Sequence, residues 1–133
     1  MTDPQVTGWL LTVFGLYAIA AALGEHLEPG QWRKMINELN ESAALSFLAG
    51  LLILSIGTAI SLAHPFDVDA GWRATLVNIV GYGMVLEGLS FLAFPRSIST
   101  LATKLMTAAN PMWVVISALF GILFLVSGLP LAL

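Results

Sequence analysis

Four long apolar runs constrain this chain more than any other feature. They cover roughly Val6–Leu23, Ala43–Ala63, Ala74–Phe94 and Met112–Leu131. A helix crosses a hydrocarbon core of about 30 Å with about 20 residues, so each run is long enough to span a bilayer. The chain is 58% hydrophobic and 10% charged, whereas soluble domains carry about a quarter charged residues. Each run is continuous, without the polar and apolar alternation of a membrane barrel strand, so helices are predicted. The absence of cysteine excludes disulfides and thiolate metal sites. A net charge of −3 gives no basis for nucleic-acid binding. Met1–Gln5 has no positive charge to begin a signal peptide, so the first run is read as a retained helix.

The second half of the sequence echoes the first. Ser46–Gly57 reads SFLAGLLILSIG and Ser117–Gly128 reads SALFGILFLVSG, while a slightly shorter offset aligns Gly15 with Gly81, Leu23 with Leu89 and Pro29 with Pro95. The expected architecture is an all-α, four-transmembrane-helix bundle built from two tandem hairpins, residues 1–66 and 67–133, within one domain. Each unit holds two crossings, so both enter the membrane in the same orientation.

Arg33, Lys34, Arg96 and Lys104 lie in the connections after the first and third runs, and only Arg73 lies on the other side. The positive-inside rule then places both termini outside the cytoplasm. Trp9 and Trp72 fall at the outer boundary and Trp32 and Trp113 at the inner one, where indole rings anchor a helix. Trp32, Met35, Ile36 and Leu39 follow a helical period after Pro29, as do Ile98, Leu101, Leu105 and Met106 after Pro95. Each connection is expected to form a short amphipathic helix in the interface, with proline in its first turn. The segment from His64 to Gly71 reads as a tight turn.

Small residues recur seven apart on every run: Gly8 and Gly15, Gly50 and Gly57, Gly81 and Gly88, Gly121 and Gly128. Residues at that spacing share one helix face and allow close approach of a neighbouring backbone. Ser46 and Ser117 extend the groove by a turn.

Glu87 is the leading candidate for chemistry, because a carboxylate within a span is a functional-site hypothesis by default. It aligns with Ala21 in the first half, so it breaks the internal likeness. Hydrogen bonding to Ser90, Tyr17 or Tyr82 would make it a packing residue, and a polar cavity reaching it between the first and third spans would make it a proton or cation site. Asn78 is expected to form an interhelical hydrogen bond. His26 and His64 fall on opposite sides of the membrane, so they are read as interfacial polar residues and not as shared metal ligands. Glu25, Glu28, Glu38 and Glu41 read as a solvated acidic face beside Arg33 and Lys34. No metallohydrolase, nucleophile-elbow or phosphate-loop motif is present, so no catalytic residue, metal or cofactor is expected.

Trp32-Arg-Lys-Met35, Ala44-Leu45 followed by Gly50, His64, Trp72-Arg73, Gly81, Gly88 and Phe94-Pro95 together resemble a group of small four-helix bacterial integral membrane proteins of uncharacterised activity. Leu86–Pro95 also resembles a shorter, two-helix family of proteobacterial inner-membrane proteins. In the four-helix group asparagine often follows the histidine, where this chain has Pro65. The resemblance implies a multi-pass protein of the bacterial cytoplasmic membrane. The expected role is a non-enzymatic accessory or scaffold that contacts lipid and either another membrane protein or further copies of itself. The competing expectation is a small proton- or cation-coupled transporter that uses Glu87.

Overall fold

The computed structural model describes residues 3–133, without the side chains of residues 106–110. The described chain forms five α-helices: α1 (Pro4–Leu27), α2 (Gln31–Glu41), α3 (Ala43–Ala63), α4 (Trp72–Ala93) and α5 (Pro95–Ala132). A single 3-10 turn, Val68–Ala70, lies between α3 and α4. Four segments are long and apolar enough to cross a membrane: α1, α3, α4 and the Pro111–Ala132 part of α5. The protein is therefore a multi-pass, all-α membrane protein.

Local sequence explains the helix ends. Asp3 caps α1 through its carboxylate, which accepts from the Gln5 N–H at 2.8 Å, and Pro4 occupies the first turn, where its missing N–H costs nothing. Ser42 caps α3 in the same way, accepting from the Leu45 N–H at 3.1 Å. Gly30 precedes α2 with φ of +98°, a left-handed conformation that a side chain would strain.

The two connections differ. α2 is a separate amphipathic helix beginning two residues after Pro29, so that proline lies outside its first turn. After Pro95 the helix does not stop: α5 runs on through Pro111 into the last span, about 57 Å at 1.5 Å per residue. The Trp113 indole N–H reaches back past that proline to donate to the Leu105 carbonyl at 2.9 Å. α2 lies against the first part of α5, where the Asn40 amide donates to Thr103 Oγ1 at 3.1 Å.

Packing joins the spans as first with fourth and second with third. α1 packs along α5, and α3 packs along α4. Each packed pair takes one helix from either half of the sequence, and contacts between the pairs are sparse. The small residues form the seams. A Cβ on Gly15 would stand 2.7 Å from the Gly121 carbonyl oxygen, and one on Gly121 would stand 2.9 Å from the Gly15 oxygen. A Cβ on Gly128 would stand 2.7 Å from the Gly8 carbonyl oxygen, while one on Gly8 would meet Leu131 and Ala132. In the other pair, added Cβ atoms on Gly50, Gly57 and Gly88 would stand 2.8–3.2 Å from the carbonyl oxygens of Gly88, Gly81 and Gly50, and one on Gly81 would meet the Ile60 and Ser61 side chains. In hydrocarbon there is little hydrophobic gain on pairing, so this close packing is a main source of cohesion. Ser117 adds a hydrogen bond from its hydroxyl to the Ala18 carbonyl at 3.0 Å. Ser46 is buried with no partner for its hydroxyl among the described residues.

Candidate functional site

Buried polarity gathers at the end of the bundle that carries the termini. Thr7 lies in the first turn of α1, His64 ends α3, and Asn78 lies two turns into α4. All three are buried, His64 at 1% exposure. His64 Nε2 lies 2.8 Å from Thr7 Oγ1, and His64 Nδ1 lies 2.8 Å from Asn78 Oδ1. With Oδ1 as acceptor, Nδ1 is the donor of that bond, while Nε2 faces the Thr7 hydroxyl. One imidazole thereby ties α1, of one packed pair, to α3 and α4 of the other. Hydroxyl, imidazole and amide follow the order of a nucleophile, base and orienting group. The Thr7 oxygen, however, is 3.4 Å from the Asp3 carbonyl on its other side, and the residue is 3% exposed. The arrangement is a polar clasp. Its one loose end is Asn78 Nδ2, buried and without a partner among the described residues.

Beside the clasp is a cavity of about 430 Å³ whose lining includes Thr7, Asp67, Asp69, Trp72, Arg73 and Leu131. Asp67 caps the 3-10 turn, accepting from the Asp69 N–H at 3.0 Å. The Arg73 guanidinium lies 5.2 Å from the centre of the Trp72 ring, within the range of a cation–π contact. Its Nε is buried with no hydrogen-bond partner among the described residues.

The opposite end has its own buried carboxylate. Glu25, 2% exposed, accepts from the Gly30 N–H through Oε1 and from the Trp32 N–H through Oε2, both at 2.8 Å. A negative charge at the start of α2 satisfies two otherwise orphaned donors and complements the helix dipole. This corrects the reading of Glu25 as part of a solvated acidic face. The signal was present: an acid five residues before Gly30, across a Pro-Gly turn that folds the chain back on itself.

Glu87 lies six residues from the end of α4, about 9 Å deep at the helical rise. Its side chain is on the exposed face, beside Leu86, which is 68% exposed. It forms no hydrogen bond among the described residues. Ser90 donates to the Leu86 carbonyl at 2.8 Å, and Tyr17 and Tyr82 are both exposed, so none of the expected partners engages it. Asn78 forms an interhelical hydrogen bond, as its position suggests. His26 is exposed at the end of α1, away from His64, and no cluster of three or more metal-ligating side chains occurs among the described residues. Trp9 and Trp72 are more than half exposed at the end with the termini. Trp32 and Trp113 are half-buried at the other. Gly8, Gly15, Gly50, Gly57, Gly81, Gly88, Gly121 and Gly128 are taken up by the internal seams and offer no open groove.

Compared with protein-family models, curated proteins and solved structures, the chain matches none.

Proposed function

We propose that this protein is a non-enzymatic accessory or scaffold component of the bacterial cytoplasmic membrane, recruiting another membrane protein through the outer face of α4. The single observation behind this reading is Glu87: a carboxylate within a span, on an apolar exterior face, with no partner in its own chain among the described residues. Such a group is costly against lipid, and a neighbouring helix carrying a hydrogen-bond donor relieves that cost. Ile79, Tyr82 and Leu86 lie together on an exposed apolar and aromatic face about a third of a turn round the helix from it, surface that a partner helix would cover. Because the glycine grooves are occupied internally, this acidic strip is the distinctive feature left for recognition. The lysine and arginine distribution supports an orientation with both termini outside the cytoplasm and α2 inside.

Photo-crosslinking from position 79, 82 or 86 in native membranes tests this reading. The expected result is one dominant membrane-protein adduct, lost in Glu87→Leu and retained at position 122 controls only as background. Recovery of the protein as a lone species, or an adduct only with its own copies, would overturn it. A proton- or cation-coupled transporter is the competing reading. It predicts pH-dependent flux in liposomes that Glu87→Gln abolishes, whereas the scaffold reading predicts no flux at all.

A further inference from the structure

The cavity at the end with the termini has charges of both signs facing one hollow. Asp67, Asp69 and Arg73 all line it, yet no ion pair joins them among the described residues. Instead, the Arg73 Nε donor is buried without an acceptor among the described residues, and an unmet buried donor is costly, the more so when it is charged. Asp67 uses one carboxylate oxygen on the Asp69 N–H, and its other oxygen has no partner among the described residues. The first turn of α4 opens on the same hollow through Trp72, Arg73 and Ala74, and no side chain caps it.

We propose that this hollow binds a group in which a phosphate and a primary ammonium lie a few ångströms apart, the chemistry of a phosphoethanolamine headgroup. The phosphate meets the planar fork of Arg73, which suits bidentate contact with phosphate oxygens, together with the first-turn N–H groups of α4. The ammonium meets Asp67 and Asp69. A simple anion would face two carboxylates, and a simple cation would face the arginine. A trimethylated ammonium has no N–H to donate and needs an aromatic cage; here Trp72 is the one aromatic lining residue, and Arg73 already lies against it. The volume of about 430 Å³ is within the usual range for a small-ligand site. Pro4, Ala74 and Leu131 supply an apolar wall, and the cavity lies where α1 and α4 begin their spans, at the depth of lipid headgroups. The inference rests on the multi-pass placement and is independent of the partner proposed for Glu87.

Native mass spectrometry of the detergent-purified protein tests the site, using phosphatidylethanolamine, phosphatidylcholine and phosphatidylglycerol with identical acyl chains, and water-soluble phosphoethanolamine. The expected result is phosphatidylethanolamine adducts at concentrations at least tenfold below those needed for the other two lipids. Arg73→Gln should abolish that preference, Arg73→Lys should retain part of it, and Asp67→Asn with Asp69→Asn should remove discrimination between the ethanolamine and glycerol lipids. Helicity by circular dichroism confirms that each variant is folded. Saturation by phosphoethanolamine alone, with the same dependence on Arg73, would support the site and identify a soluble ligand. Equal binding of all three lipids, a preference for phosphatidylglycerol, or indifference to Arg73→Gln in a folded variant would overturn it.

Discussion

The glycine seams and the His64 clasp hold helices together by opposite means. Along each seam, missing side chains let backbones meet, and cohesion is spread over two or more turns. At the clasp, two hydrogen bonds of 2.8 Å converge on one ring, and cohesion is concentrated at a point. The seams act within pairs, while the clasp joins one pair to the other where contacts are otherwise sparse. In lipid, then, shape makes the pairs and polarity fixes how they meet.

The pairing itself offers the sharpest test. The chain has no cysteine, so Ala18→Cys with Ser117→Cys should form a disulfide close to completion under mild oxidation, read by gel mobility after cleavage in the α2 segment. Ala18→Cys with Ser55→Cys should form essentially none; the reverse outcome would mean that the first two spans pack together. Next in size, Gly15→Val places a side chain against the backbone of α5, where even a Cβ lies 2.6 Å from the Leu125 nitrogen. A loss of about 3 kcal/mol is expected, at the upper end for overpacking, measured as a lowered unfolding midpoint in mixed micelles. His64→Leu strands Thr7 and Asn78 in a buried setting and should cost about 2 kcal/mol. Engineered disulfides within each pair should still form in that variant, since the seams are untouched. Glu25→Gln should be the mildest, about 1 kcal/mol, and local: faster hydrogen exchange at the Gly30 and Trp32 amides with little change elsewhere.

Much of this fold could be read in advance, and the remainder fails for identifiable reasons. Spans were legible because a bilayer demands length and apolarity; Ala43–Ala63 falls on α3 end to end. The small-residue spacing was legible too, but the choice of partner was not. All four spans carry glycines seven apart, so the pattern marks a seam without saying whose seam it is. The depth of Glu87 was readable, but its direction needed one further step. At about 100° per residue, it is a third of a turn from Gly88 and lies off the seam face, whereas Asn78 is only about 60° from Gly81. His64 looked interfacial because its neighbours Thr7 and Asn78 come from distant stretches of chain, and only the folded arrangement unites them. Continuation of α5 through Pro111 was hidden by the usual breaking effect of proline.

The pairing of first with fourth and second with third also sets an order of assembly. The α3·α4 pair closes over a short turn, while α1 must wait in the membrane until the last span has been made. Its seam face, with Gly8 and Gly15 bare, is the surface most open to false partners during synthesis. Nested closure of this kind makes the α1·α5 seam the last to become possible, and a chain halted before Pro111 would leave α1 without its mate.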